Sequence, residues 1–197
     1  MRKAKITRKT GESEIAVSLS IEGKGKCDIE TPIGFFTHML ETFAKHSLCD
    51  IVLTARGDCR GDQHHLVEDC GITLGMAFSK ALGGRQGINR AGYFVFPMDD
   101  ALAVCAVDIG GRSYLQFDAR FKRRFCGGFD TDLVEDFLCG FAQGLAANIA
   151  VRVLAGRSDH HKIEAVFKAF AKSMKMACSK DRRMKGDIPS TKGRIRL

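Results

Sequence analysis

An α+β fold built by internal duplication is what this sequence predicts, with two antiparallel or mixed sheets covered by helices. Two observations carry that expectation. Strand-like and helix-like patterns follow one another in the same order in residues 1–90 and again in 91–197. The segment His64-His65-x-x-Glu68 also returns as His160-His161-x-x-Glu164, 96 residues later, and each copy opens the last helix of its half. The composition, 45% hydrophobic and 27% charged, is that of a chain able to bury a core rather than a disordered one.

The elements can be taken in order. Ile15, Val17, Leu19 and Ile21 alternate with polar residues, as a half-buried strand requires. Helical spacing follows over 35–47. Ile51, Leu53 and Ala55 mark a strand over 50–56, and helical spacing returns over 65–82, closed by Gly83-Gly84. In the second half Leu102 to Ile109 is a nearly continuous apolar run that reads as a buried strand. Leu115, Phe117, Ala119 and Phe121 alternate. Helices are expected over 131–147 and 161–178, with a strand over 149–154 between them. Only three prolines occur and no Pro/Ser-rich linker interrupts the chain, so a single domain over 1–197 with pseudo-repeats 1–90 and 91–197 is expected.

Composition narrows the function classes. The formal charge of +8 suggests an anionic partner, either nucleic acid or a phosphorylated small molecule. There is no Trp, only two Tyr, and the Phe residues fall mostly in apolar segments, which argues against a base-stacking surface. No apolar run approaches the ~18 residues of a membrane span, and no hydrophobic segment follows the charged start Met1-Arg2-Lys3. A cytoplasmic protein is expected. The eight cysteines form no Cys-x-x-Cys pair and are expected to be thiols packed as small hydrophobes.

Six histidines occur, and four of them lie in the two repeated motifs. On a helix His64 and Glu68 share a face one turn apart, while His65 lies about 100° round the axis. Adjacent histidines then point at different ions. Imidazole with carboxylate suits Mn, Fe, Co, Ni or Zn, and the protease motif His-Glu-x-x-His is absent. His38, 26 residues before His64, can complete a site. Asp136, 24 residues before His160, takes the matching place in the second half, as a ligand or as a solvated helix residue.

These residues carry a resemblance to the imidazoleglycerol-phosphate dehydratase family that runs nearly end to end. It rests on Arg8-x-Thr10-x-Glu12, His38-Met39-Leu40, Gly57-Asp58, both His-His-x-x-Glu motifs, Gly87-Ile88-Asn89-Arg90, Pro97-Met98-Asp99, Gly111-Arg112, Phe167-Lys168-Ala169-Phe170 and Pro189-Ser190-Thr191-Lys192-Gly193. The resemblance implies two four-stranded sheets, each covered by helices, as ribosomal S5 domain 2-like repeats. It implies a lyase of L-histidine biosynthesis that converts D-erythro-imidazole glycerol phosphate to imidazole acetol phosphate and water. Two Mn2+ ions per active site would bind the substrate's imidazole and stabilise an imidazolate-like ring. The implied assembly is a homo-oligomer, trimers joining into a large particle of cubic symmetry with metal sites between subunits, and with no nucleic-acid or membrane partner.

Carried over residue by residue, the implied metal ligands are His38, His64, His65, Glu68, His160, His161 and Glu164, with Asp136 standing where relatives often carry His. Thr37, Pro32 and Ala150 also depart from the family pattern, which favours Asp, Gly and His there. The implied acid/base is Glu12, and His46, eight residues after His38, lines the pocket; His38, Glu68 and Glu164 belong to the catalytic set as well as the metal set. The ligand residues, Glu12, His46 and Lys168 would contact substrate, with Arg90, Arg112, Ser190, Thr191 and Lys192 at its phosphate. Three other readings compete: a nucleic-acid-binding module, which leaves the histidine motifs unexplained, another metal-dependent lyase or hydrolase acting on a phosphorylated substrate, and an inactive relative.

Overall fold

A computed structural model describes every residue except Asp58, Arg60, Lys185, Lys192, Arg194, Arg196 and Leu197. The first half runs β1 (Lys3–Lys9), β2 (Ser13–Ser20), β3 (Cys27–Glu30), α1 (Gly34–Ser47), β4 (Asp50–Gly57) and α2 (His64–Leu82). The second repeats it as β5 (Ala91–Met98), β6 (Ala101–Asp108), β7 (Tyr114–Asp118), α3 (Leu133–Leu145), β10 (Asn148–Ala155) and α4 (Asp159–Cys178). It adds one small hairpin, β8 (Phe125–Cys126) with β9 (Phe129–Asp130), ahead of α3.

The two four-stranded sheets have matching orders, β1-β2-β4-β3 and β5-β6-β10-β7. In each the last strand runs parallel to its neighbour and the other pairs are antiparallel. The fold is thus α+β with two equivalent sheet units. A parallel edge strand needs a crossover, and α1 and α3 supply it by bridging β3 to β4 and β7 to β10.

Each sheet turns its alternating apolar residues inward: Ile15, Val17 and Leu19 from β2, and Ala103, Cys105 and Val107 from β6. The four helices fill the space between, and each packs on a helix of the other half: α2 on α3 and α1 on α4. One hydrophobic core therefore runs through both halves. Cys49, Cys70, Cys105 and Cys178 are buried within it as thiols, and burial pushes Cys49 up to about 11 and Cys105 to about 12.

Several elements differ from the sequence reading. The run at 102–109 is not buried on both sides, because Leu102, Val104 and Ala106 lie on the outer face of the second sheet. Tyr93 and Val95 of β5 share that face at 66% and 48% exposure. Hydrophobicity hid the period-two pattern because both faces are apolar. The first sheet's outer face is polar, with Lys3, Lys5, Thr7 and Lys9 on β1. The strand expected to reach Phe121 stops at Asp118, where its pairing with β10 ends. Helix α4 starts two residues early because the Ser158 hydroxyl caps it, accepting from the His161 N–H at 3.4 Å.

Candidate active site

The two histidine motifs lie at the N-termini of α2 and α4, and the helix pairing decides what stands beside them. Since α2 lies on α3, Asp136 joins the first motif: its Oδ2 is 3.0 Å from His64 Nδ1, and Glu68 Oε2 is 3.9 Å from His64 Nε2. Since α1 lies on α4, His38 joins the second motif, close enough to the Glu164 carboxyl to help hold it ionised. His160 Nε2 is 3.5 Å from Glu164 Oε2. The sequence reading placed His38 ahead of the first motif and Asp136 ahead of the second; the structure exchanges them. The chain order of the helices differs from their packing order, and spacing reports only the former. Two equivalent groups result, His64–Glu68–Asp136 and His160–Glu164–His38.

Each second histidine of the motifs meets a hairpin turn. His65 Nδ1 is 3.3 Å from Glu12 Oε2, on the turn between β1 and β2. That turn is fastened from below by Asp69, which is buried and accepts from the Ser13 hydroxyl and from Thr10 Oγ1 at 3.4 Å while pairing with Arg8. The Arg8-x-Thr10-x-Glu12 pattern is thereby explained: the first two residues seat the turn on α2 and the third reaches His65. His161 meets the turn between β5 and β6, with Nδ1 2.5 Å from Asp100 Oδ1 and Nε2 3.4 Å from Asp99 Oδ2. The hydrogen bond from His161, reinforced by the Ser158 and Arg157 N–H groups, holds the Asp100 carboxyl well below its ordinary range and raises His161 in turn.

Beside Glu164 stands Lys168, whose ammonium is 2.8 Å from Glu164 Oε1 and 3.0 Å from the Met98 sulfur. Burial works against the Glu164 charge, but the bond from Lys168 and the nearby His160 and His38 outweigh it and lower its pKa. His46 is half-buried, its ring edge-on to Phe96 at 5.3 Å. Burial and then the Lys168 and Lys172 charges lower its pKa, so it is held neutral.

The residues expected at a phosphate are placed less uniformly. Arg90 gives Nε and Nη2 to Asp108 at 2.6 and 2.9 Å and Nη1 to the Pro189 carbonyl at 2.8 Å. It thus ties down the tail that carries Ser190 and Thr191. Arg112 is exposed in the turn after β6, and Lys192 lies outside the described residues. The sequence reading quoted Asp99 and Arg8 only as family pattern and gave no role to Asp69, Phe96 or Asp100. A carboxylate at the tip of each half's first hairpin was the available signal for Asp100.

Imidazole nitrogens and carboxylate oxygens, with no thiolate among them, form a donor set that fits a borderline or hard divalent ion. Among the described residues of one chain, however, no three His, Cys, Asp or Glu side chains converge into a metal-holding group.

Fold and site together define a duplicated α+β protein with two equivalent histidine–carboxylate poles. The family model for imidazoleglycerol-phosphate dehydratase matches residues 31–174. The imidazoleglycerol-phosphate dehydratase of Koribacter versatilis is 53% identical over 98% of this chain and 99% of its own. That of Chlorobium phaeobacteroides is 47% identical over 99% and 96%. Among solved structures, the Pyrococcus furiosus protein superposes with a TM-score of 0.83 at 36% identity, covering 95% of this chain and 99% of that one. The Staphylococcus aureus dehydratase gives 0.80 at 32% identity, covering 91% and 99%. The chain belongs to the imidazoleglycerol-phosphate dehydratase family, and is accordingly a hydro-lyase.

Proposed function

We propose that this protein removes water from D-erythro-imidazole glycerol phosphate to give imidazole acetol phosphate, in L-histidine biosynthesis and in the cytoplasm, with two Mn2+ ions per active site. The observation that carries this reading is the duplicated pole: two histidine–carboxylate groups, each with a further histidine facing a hairpin carboxylate. His64, Glu68 and Asp136 would hold one ion's share of ligands, His160, Glu164 and His38 the other's, with His65 and His161 on neighbouring faces. When bound, the ions would supply Lewis acidity to the substrate's imidazole.

The protein's own groups do the rest. Glu12 is exposed, at the tip of a seated turn, and its Oε2 can accept the proton from the carbon beside the ring. Lys168 keeps Glu164 ionised for ligation. Neutral His46 can shuttle a proton without adding charge. Arg90 serves the phosphate by holding Pro189, next to Ser190 and Thr191; Arg112 and Lys192 supply further cationic donors.

Homo-oligomerisation, as trimers joined in a particle of cubic symmetry, follows the same logic. Among the described residues of one chain no three donor side chains converge, so a second chain would complete the ligand groups, and the apolar outer face of the second sheet suits burial against a copy. Neither nucleic acid nor membrane is needed as a partner, and no helix among the described residues is long and apolar enough to cross a membrane.

The test is turnover by Mn2+-reconstituted protein, with elemental analysis. Glu12→Gln should keep the fold and both metals per site while losing about 10²- to 10⁴-fold in turnover. Near-normal turnover in that variant would place the base elsewhere, and one metal or fewer per chain would overturn the two-ion reading.

A further inference from the structure

We propose that Asp100 is a positioning residue that fixes the ring and tautomer of His161, so that Nε2 is the nitrogen His161 offers to a metal ion. This rests on the Mn2+ reading above. The argument begins with the hairpin. Met98 pairs with Ala101, leaving a two-residue turn of Asp99 and Asp100, and Asp99 takes the left-handed conformation at φ 47°. Asp and Asn tolerate that region better than other side-chain-bearing residues. The turn aims Asp100 back at the start of α4.

There its two oxygens are divided. Oδ2 accepts the N–H groups of Arg157 at 2.5 Å and Ser158 at 3.0 Å, and Oδ1 faces His161 Nδ1 at 2.5 Å. An ionised carboxylate only accepts, so the hydrogen between Asp100 and His161 sits on Nδ1. In the neutral ring the lone pair is then on Nε2, the nitrogen that lies 3.4 Å from Asp99 Oδ2. Metal-binding histidines take this arrangement when their other nitrogen donates to a carboxylate.

Duplication sharpens the point. Glu12 occupies the corresponding turn of the first half and faces the corresponding histidine, yet its side chain is 61% exposed against 33% for Asp100, and it is 0.8 Å further away, at 3.3 rather than 2.5 Å. It has a longer side chain, and among the described residues no backbone N–H donates to its carboxylate. The two turn carboxylates are thus two devices: a free one able to move a proton, and a pinned one that can only orient. A cap for α4 alone would use Oδ2 and leave Oδ1 to water.

Asp100→Asn separates these roles. To keep the Arg157 and Ser158 bonds, its amide oxygen must take the Oδ2 place, which turns the NH2 group toward Nδ1 and selects the opposite tautomer. The assembled protein, stripped by chelator and retitrated with Mn2+, should then show one class of site weakened by about 10- to 100-fold and the other unchanged. In a His161→Gln background the same substitution should cause no further loss. Equal losses in both backgrounds, or unaltered affinities, would overturn the proposal. Should the parent protein bind no Mn2+, the metal reading fails by itself. A crystal structure of Asp100→Ala then judges the positioning role: a rotated His161 ring upholds it, and an unmoved ring refutes it.

Discussion

The α2–α3 and α1–α4 crossings are equivalent by duplication but are built oppositely. At α2–α3, Gly71, Gly75, Gly140 and Gly144 line the contact, and a Cβ built on Gly140 would sit 2.6 Å from the Glu68 carbonyl oxygen. At α1–α4, the corresponding residues are Phe167, Ala171, Thr42 and His46, and Phe43 meets Phe170 at 5.0 Å between ring centres. One crossing is closed to backbone contact and the other is propped open by side chains. The open one holds His46 and Lys168 beside Glu164; the closed one has Gly144 and Ile72 in those places. The lesson is that a duplicated scaffold can keep both histidine motifs while opening space for extra titratable groups beside only one of them.

The first way to break the comparison is to empty the open crossing. Phe167 is 1% exposed and stacks on Phe137 at 5.4 Å. Phe167→Ala should destabilise by about 3–5 kcal/mol in urea unfolding. A loss below about 1 kcal/mol would mean that the site collapses freely.

A comparable effect is expected where the helix starts differ. Asp159 and Lys162 form a buried ion pair at 2.9 Å, and Asp159 also accepts the Lys122 and Arg123 N–H groups. The equivalent residues of α2 are Gln63 and Leu66. Asp159→Ala strands a buried ammonium and should cost about 3–5 kcal/mol, whereas Gln63→Ala, which removes a bond to the Gly128 carbonyl at 2.8 Å, should cost about 1 kcal/mol. Burial opposes the Asp159 charge, but Lys162 and the two N–H groups prevail and lower its pKa below 3.8. Its contribution is therefore present above about pH 4 and lost as pH falls through the lowered folded value. An acid unfolding profile unchanged by Asp159→Asn would contradict this.

Smaller still is the cost of adding one methyl group to the closed crossing. Gly140→Ala gains helix propensity, about 1 kcal/mol, but must push α2 away. A net loss of about 1–3 kcal/mol is expected, with weaker Mn2+ binding at the His64–Glu68–Asp136 group. A gain in stability would show that the helices separate without resistance.

The smallest effect is a pH slope. His46 is held neutral by burial and by Lys168 and Lys172, with Glu164 opposing them, so its folded pKa lies below the unfolded value near 6.5. A lowered histidine contributes stability above the unfolded pKa and loses it as pH falls through the folded one. Metal-free protein should thus lose stability as pH falls below about 6.5, and His46→Gln should flatten that slope.

Sequence by itself determined the duplication, the four helices to within two residues at each end, and the residue types able to bind a divalent ion. These follow from periodicity and from repeated local chemistry, which a linear reading can see. It also marked both histidine motifs as helix openings, since the N-terminal positions of α2 and α4 are local features. It did not reveal the strands β1, β3 and β5 as separate elements, nor the β8–β9 hairpin, whose two-residue strands are too short to show a period. Only the tertiary structure decided that Asp136 stands by His64 and that His38 stands by Glu164, because helix pairing across the halves depends on which faces close against each other. The same holds for Asp100: one carboxylate among 23 acidic residues acquires a role only when a hairpin turn folds onto the first turn of a helix that begins 59 residues further along the chain.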